Sequence, residues 1–433
     1  MRMVIKLNTV SKENVYRLFL VIWSSGALLP VIFSVFQKIP IIGLTYSVVN
    51  VCFWLIFILL SFSEIKASIR PIDRLFFILF CLVVVVQLLS DSVYVGQLHD
   101  IWTDIMFKSI PLFFLGLALD FSFLNNVDSK KYKHFMWLTY VNLIADIVFY
   151  LRYSSTQSDI YTYVENGTNI RYTSFMFFAY ITIPHVMALF YDFYKRKNLL
   201  SVVFAILGTL VVLTQGTRGA VICIVVYLAI ILWDRVLNMK LWLRLLIFSL
   251  IVLLIVSIIR FNLVELIALA LRNYAYNMGL STRVFDSILQ ANYINDSGRS
   301  QIYSEILSTV SKGGIWGYGL TSDTYLFSTY SHNFVLELIV EFGFIIGSII
   351  ALITIIVFSL GMYKSSKRNI NLNPVFAMFF CLGFVKLFMS GTYLTEPWFF
   401  FLIGFSIQII RKSVRLEQMD NDYEKDISAD FNV

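Results

Sequence analysis

The chain has 433 residues, of which 58% are hydrophobic and only 14% are charged. Soluble domains are closer to half apolar and a quarter charged, so this composition excludes a soluble globular protein. The formal net charge of +7 is typical of a membrane protein with lysine- and arginine-rich cytoplasmic loops, and we expect no nucleic-acid partner. The four cysteines lie inside apolar runs without CxxC spacing, which favours neither disulfides nor metal binding.

Long apolar runs separated by short joins make up most of the chain, and each can cross a hydrocarbon core of about 30 Å as a helix. We therefore predict an all-α polytopic membrane protein with about twelve transmembrane helices. We expect no cleavable signal peptide, because the polar N-terminus leads directly into an apolar run. The predicted spans are residues 15–36, 41–63, 75–90, 105–124, 135–151, 173–194, 199–214, 219–233, 245–260, 333–362, 374–392 and 397–411.

Lysine and arginine fall on alternate joins between the predicted spans. Because cytoplasmic loops carry the excess of these residues, we expect both termini in the cytoplasm. The same alternation places the large polar loop of residues 261–331 on the outer face. We predict one integral membrane domain over residues 1–416, followed by an acidic, disordered cytoplasmic tail over residues 417–433.

The loop 261–331 is the one long departure from the apolar pattern. Apolar residues recur at helical spacing after Arg299, and Gly313 and Gly314 stop the run, which predicts an amphipathic helix on the membrane face. A shorter helix is predicted around residues 283–291. Polar chemistry concentrated in one outer loop indicates that the functional site is there.

Arg218 lies in the sequence TQGTRG, which joins two predicted spans on the outer face. A helix start exposes unpaired N–H groups and partial positive charge, which suits phosphate. An arginine adds two directed hydrogen bonds, and Gly216 and Gly219 allow close approach of the backbone. The alternative is an arginine that reaches to a lipid headgroup.

Arg299 opens the predicted amphipathic helix, so it is a second cation at a helix start. Its alternative is a solvated loop cation. Arg272 and Arg283 are further cations of the same loop, and solvated positions are the simpler interpretation for both.

His332 lies in Ser331-His332-Asn333, at the outer end of the predicted span 333–362. We expect Ser331 to cap the helix and the helix dipole to lower the imidazole pKa. A neutral imidazole is what a general base requires. The alternative is a histidine that only caps the helix or lies at the interface.

Ionisable residues inside predicted spans are costly and usually paired. Lys108 and Asp120 lie near span ends, whereas Asp146 and Lys386 are deeper. A structural pair between these two is the favoured interpretation, and a proton relay is the alternative. The chain has no GxxxxGK[ST], HExxH or CxxC motif and no DxD in an outer loop, so we expect no metal and no cofactor.

Three segments in order resemble the O-antigen polymerase/ligase superfamily, which includes Wzy-type polymerases and WaaL-like ligases. They are TQGTRGA, SGRSQIYSEILSTVSKGGIWGYGL and SHNFVLELIVEFGFIIG. The resemblance covers mainly residues 210–350, and the span plan and the late outer loop fit it.

The resemblance implies a GT-C-type glycosyltransferase of the bacterial inner membrane whose active site faces the periplasm. A glycan on undecaprenyl diphosphate would be both donor and acceptor, among membrane lipids and with a chain-length regulator as a further partner. The resemblance implies that Arg218 and Arg299 bind the diphosphate and that His332 is the catalytic base. From their chemistry, Gly219 and Arg283 are added to the diphosphate site. The secondary candidates are Asn333, Tyr318 and Arg272.

The favoured function is a polymerase that extends a lipid-linked glycan into O-antigen or capsular polysaccharide. The first alternative is a ligase that moves the glycan to lipid A-core. A lipid-linked oligosaccharide flippase is disfavoured, because the loops are strongly unequal and no duplicated halves are evident.

Overall fold

The structure is a computed structural model that describes residues 13–25, 66–89, 98, 101–102, 104–154, 160–165, 168–173, 176–237, 239–246, 249, 263–289, 299–313, 316–367 and 370–430. The described chain is helical except for one two-stranded hairpin. It divides into two compact units: unit 1 comprises Met1–Ile22, Pro40–Asn126 and Arg299–Val433, and unit 2 comprises Trp23–Ile39 and Val127–Gly298. The predicted single membrane domain stays a prediction.

The helices, in chain order, are α1 (Pro71–Leu89), α2 (Ile110–Ala118), α3 (Lys130–Ser154), α4 (Met176–Arg196), α5 (Leu199–Thr214), α6 (Arg218–Leu237), α7 (Leu263–Asn277), α8 (Arg283–Leu289), α9 (Arg299–Gly313), α10 (Ser322–Phe327), α11 (Phe334–Phe342), α12 (Phe344–Ser365), α13 (Asn373–Gly383) and α14 (Pro397–Asp430). A π-helix covers Ile105–Ser109, and 3₁₀ turns cover Phe121–Leu124, Val385–Phe388 and Tyr393–Thr395. Residues 13–25, 66–68 and 241–246 are also helical. Strands β1 (Ile160–Glu165) and β2 (Thr168–Thr173) pair antiparallel.

The core of unit 1 is an aromatic cluster in which rings meet mainly edge to face or tilted. The cluster lies where helix α14 crosses α2. Glycine is needed at this contact, because a Cβ on Gly116 or Gly404 would collide with a carbonyl oxygen of the opposite helix. Aromatic pairs of this kind add stability beyond the area they bury. The rings belong to Phe19, Phe121, Phe379, Phe401 and Phe405.

Ion pairs tie helix α14 to the rest of unit 1. Arg411 donates to both oxygens of buried Asp73, at 2.7 and 2.6 Å, in a bidentate geometry. Glu417 forms ion pairs with Lys364 and Lys367. The helix runs on to Asp430 and so covers most of the tail for which the sequence predicts disorder.

Unit 2 contains a bundle of α3–α6 with a polar interior at one end of α4. Asp192 is buried there and accepts hydrogen bonds from Tyr132 at 2.5 Å, from Arg196 at 2.6 Å and from Ser201. Because its carboxylate receives several donors, its burial is compensated. Beside the other end of α3, Tyr150 packs with Ala275, Leu280 and Phe285, so this cluster seats α7 and α8 on the bundle.

Three of the described helices are long and apolar enough to cross a membrane: Pro71–Leu88, Lys130–Leu151 and Phe344–Ser365. Shorter apolar helices cover Ile105–Ala118, Leu199–Thr214, Arg218–Trp233 and Asn373–Phe388. On α12, Ile345, Ile349, Leu352 and Ile356 lie four, three and four residues apart and are all exposed, which is typical of a lipid-facing stripe. The number of twelve spans stays a prediction. The span 41–63 and most of 245–260 lie outside the described residues.

The predicted span 333–362 is wrong as one helix, because the chain breaks at Gly343, where φ is +81°. A loop pairs with the end of α11: Tyr318 N donates to Val340 O and Gly319 N donates to Glu341 O, each at 2.9 Å. These bonds satisfy carbonyl groups that a helix end leaves open. Helices α11 and α12 are therefore separate, and α12 is the one that is long and apolar enough to cross a membrane.

The expected pairing of Asp146 with Lys386 is also wrong. Lys386 forms an ion pair with Glu396. Asp146 lies 3.9 Å from His185 Nε2, and both side chains are buried. Lys386 and Asp146 thus each have a titratable partner within their own unit.

The orientation of the chain is testable by cysteine labelling in a variant without native cysteines. Cysteine at Asn295 is expected to react with an impermeant thiol reagent in intact spheroplasts, because the large loop should face outwards. Cysteine at Lys130, an exposed position, is expected to react only after permeabilisation. Labelling at Lys130 in intact spheroplasts would contradict the orientation.

Candidate active site

Arg218 opens α6 directly after a tight turn. Helix α5 ends at Thr214, and Gly216 has a φ of +78°, a conformation that glycine adopts without steric cost. The Thr214 carbonyl accepts hydrogen bonds from Tyr150 Oη at 2.7 Å and from Ser281 N at 3.2 Å. The segment before α8 is thereby fixed on the turn, and a Cβ at Gly216 would approach Ser281 Oγ to 2.7 Å.

Three arginines lie on α8 or contact it. Arg218 Nη1 donates to Ser287 Oγ at 3.3 Å, and Arg283 is four residues before Ser287 on the same helix. Arg272 Nε donates to buried Asp286 Oδ1 at 2.7 Å. We call these three arginines, with Ser287 and Asp286, the Arg218 cluster. Guanidinium groups suit an anion with several oxygens.

Arg299 opens α9 in unit 1 and points to a backbone carbonyl. Its Nη2 donates to Met389 O at 2.9 Å, and its Nη1 lies 3.9 Å from Met389 Sδ. The His332 side chain also makes a hydrogen bond to the Met389 backbone. Arg299 and His332 therefore meet at one carbonyl group, and we call them, with Met389, the His332 cluster.

The His332 backbone is in the left-handed region, with a φ of +52°. The Tyr330 ring lies against the imidazole, with ring centroids 4.2 Å apart, and Tyr303 Oη donates to His332 O at 3.5 Å. Left-handed non-glycine residues cost free energy and persist only where the surroundings hold them. The turn is therefore fixed by its contacts.

The pKa of His332 is lowered from its ordinary value, first by burial and then by the nearby Arg299 guanidinium, while the Met389 bond acts in the opposite direction. The direction agrees with the prediction, but the cause differs from the helix dipole. The predicted cap is also wrong, because Asn333 and not Ser331 accepts hydrogen bonds from the first turn of α11, at 3.0 and 3.3 Å. His332 Nδ1 is buried and has no hydrogen-bond partner among the residues that the structure describes.

Buried carboxyl groups lie behind the His332 turn. Asp323 Oδ2 accepts from Ser331 N at 2.9 Å, immediately before His332. Burial raises the pKa of Asp323, and its backbone donors oppose that rise. Glu337 accepts from Thr392, and Glu341 Oε2 accepts from Tyr393 Oη at 2.6 Å.

The remaining candidates have mainly local contacts. Tyr318 Oη donates to Thr309 O at 3.2 Å and so joins its loop to α9. Gly219 is the second residue of α6, and Arg272 is engaged by Asp286. Among the described residues, no group of three histidine, cysteine, aspartate or glutamate side chains is arranged to bind a metal ion.

The structure brings Arg218 together with Arg272 and Arg283 in unit 2, and Arg299 together with His332 in unit 1. Sequence reasoning missed Met389, because nothing in its sequence separation of 57 residues from His332 signals a contact. It also missed Glu337 and Glu341, although their spacing of four within an apolar run was a readable signal.

Part of the chain matches a known family. Residues 202–347 match the family model described as Wzy_C, O-antigen ligase. The matched segment includes Arg218, Arg299 and His332. No curated protein and no solved structure matches the chain.

The apolar helices and this match indicate a helical membrane protein with a segment that resembles the O-antigen ligase family. The match confirms the resemblance to the O-antigen polymerase/ligase superfamily.

Proposed function

We propose that the chain is a membrane glycosyltransferase that polymerises glycan repeat units carried on undecaprenyl diphosphate. The observation that carries the proposal is the meeting of Arg299 and a neutral, partly buried histidine at the Met389 carbonyl, inside the segment that matches the family. An anion-binding group beside a base is the combination that transfer from a lipid diphosphate requires.

In the proposed reaction, an acceptor sugar hydroxyl attacks the anomeric carbon of the donor glycan. The bond from that carbon to the diphosphate oxygen breaks, and undecaprenyl diphosphate leaves with the electron pair. The hydroxyl proton is proposed to pass to His332 Nδ1, for which the described part of the chain supplies no hydrogen-bond partner. Atoms and charge balance without a metal, a cofactor or a nucleotide sugar.

Arg218 and Arg299 are proposed to contact the departing diphosphate, on which negative charge develops. Fixed guanidinium donors at such an oxygen stabilise the transition state because they need no reorganisation during the reaction. Arg283 and the Gly219 backbone, in the Arg218 cluster, are proposed to assist. Arg272 is proposed to have a supporting role, because Asp286 already engages it.

A second candidate function is the ligation of the finished glycan to lipid A-core. The family description names an O-antigen ligase, and this observation favours the ligase. The donor and the leaving group are the same in both reactions, so the residue roles above apply to both. The difference lies in the acceptor alone.

The proposed location is the bacterial inner membrane, with both termini in the cytoplasm and the active site facing the periplasm. A chain-length regulator is a proposed partner if the protein is a polymerase.

The test is a reaction of the purified protein with a lipid-linked repeat unit, in chelator and without added nucleotide sugar. A polymerase is expected to yield a ladder of glycan lengths on undecaprenyl diphosphate. A ligase is expected to leave the repeat unit unextended and to transfer it when lipid A-core is added. Unchanged glycan under both conditions would contradict both functions.

A further inference from the structure

The turn that carries His332 is supported by three carboxyl groups that the proposed reaction does not use. Asp323, Glu337 and Glu341 are only 1%, 1% and 2% exposed. The three groups repel one another electrostatically. A buried acidic group is costly unless its oxygens are hydrogen-bonded, so their arrangement requires a reason beyond packing.

Glu341 joins two separate parts of unit 1. Its Oε1 accepts from the backbone N–H of Thr321 at 2.7 Å, at the start of α10. Its Oε2 accepts from Tyr393 Oη at 2.6 Å, in the segment that follows α13. Two directed bonds to one buried carboxyl group fix the separation of these parts.

The first of these parts leads to the backbone of His332. Asp323 lies two residues after Thr321, and its Oδ2 accepts from Ser331 N at 2.9 Å. Thr321, Ser328 and His332 all have positive φ, at +64°, +55° and +52°. Three left-handed non-glycine residues within twelve positions require hydrogen bonds to hold them, and Glu341 and Asp323 accept two of those bonds.

The second part leads to the imidazole of His332 from the opposite side. Tyr393 lies four residues after Met389, whose carbonyl group receives Arg299 Nη2 at 2.9 Å and the imidazole. Thr392, next to Tyr393, donates to Glu337, one helical turn before Glu341 on α11. Hydrogen bonds therefore link Glu341 to both segments: the one that carries the His332 backbone and the one that carries the carbonyl group its ring contacts.

We propose that Glu341 is a positioning residue for His332, which it holds in register with Arg299 through Thr321 and Asp323 on one side and Tyr393 on the other. This inference rests on the proposed function for its consequence in catalysis. Glu341 touches neither the substrate nor the reacting atoms in this role. A displacement of about 1 Å at a reacting group lowers rates about 10²-fold, so such a residue has a large effect from a distance.

The experiment compares Glu341→Gln and Glu341→Leu with the parent protein. Glutamine keeps an acceptor for Thr321 N–H, whereas leucine keeps none, so kcat is expected to fall about 10²-fold in the leucine variant and less in the glutamine variant. KM for the lipid-linked donor is expected to stay the same. Glu305→Gln is the matched control, because Glu305 is an exposed glutamate on α9, and it is expected to behave as the parent.

A second readout follows the pKa of His332 without any need for activity, by measuring carbethoxylation of His332 against pH with mass spectrometry. Burial and Arg299 lower this pKa, so a released turn should raise the midpoint in both Glu341 variants. Direct loss of a nearby negative charge would lower the midpoint instead. Arg299 is the charged group that acts on this pKa. The other titratable groups on the elements that carry or contact the His332 turn are Tyr303 from α9, Asp323 from α10, Tyr330 beside it and Glu337 from α11, and the Lys386–Glu396 pair lies in the segment after α13.

A midpoint that rises, with a fall in kcat, supports the proposal. A midpoint that stays or falls in folded Glu341→Leu protein overturns it, and so does a loss of rate that is equal at every pH. If the parent protein transfers no glycan, the proposed function fails, and the midpoint alone then decides whether Glu341 positions His332.

Discussion

Replacing Arg299 with alanine is expected to lower the rate of glycan transfer by about 10²–10³-fold, the usual cost of removing one donor from a developing oxyanion. Arg218→Ala is expected to have an effect of the same size. Each change removes a guanidinium that the proposal places on the diphosphate. The measurement is the initial rate of transfer from a lipid-linked repeat unit by purified protein, normalised to folded protein.

Lysine at either position should recover only part of the rate, because an ammonium is a point charge and lacks the planar fork of arginine. Arg235→Ala is the control for Arg218, since Arg235 is an exposed arginine at the other end of α6. Combining Arg218→Ala with Arg299→Ala tests whether both act on one ligand, in which case their effects should not add. A parent-like rate in Arg299→Ala would contradict a role in diphosphate binding and leave Arg299 with only its structural hydrogen bond to Met389.

Substitution of His332 is expected to lower the rate by about 10²–10⁴-fold, the range of general base catalysis. His332→Ala and His332→Gln should both show this loss while the affinity for the lipid diphosphate is retained. In the parent protein the pKa of His332 is lowered, so the neutral form should persist mildly below neutrality. Activity should fall only at lower pH, as the imidazolium forms.

Glutamine is the informative substitution because it hydrogen-bonds without basicity. Asn333 already caps α11, so loss of a cap cannot explain a slow His332→Gln variant. His134→Gln serves as the control, since His134 is exposed on α3. A parent-like rate in His332→Gln, at equal folded protein, would refute the role of His332 as base.

The helices of the late loop were readable from sequence because local signals determine them. Gly313 ends α9, and Arg299 begins it, as the apolar spacing predicts. The break at Gly343 was not readable, because a fully apolar run on both sides looks like one helix. The end of α11 depends on bonds from Tyr318 and Gly319, which come from a separate loop.

The candidate residues stand out in the sequence for a different reason. Few structural roles explain an arginine at a helix start or a histidine at the end of a span. Their surroundings depend on long-range contacts. Met389, which both Arg299 and His332 contact, lies in an apolar stretch that gives no chemical signal. Ser287 meets Arg218 across 69 residues. Sequence patterns therefore suggest candidate side chains more readily than they reveal the groups that hold them.

The most direct test of the proposed function follows the leaving group. Purified protein is given a lipid-linked repeat unit in chelator, and undecaprenyl diphosphate is quantified together with new glycosidic bonds. We expect one undecaprenyl diphosphate to be released for each bond formed, and release to fall by about 10²–10³-fold in Arg299→Ala. Glycan that stays on its original lipid, even when it crosses the bilayer of a proteoliposome, would contradict glycosyl transfer and favour a transporter.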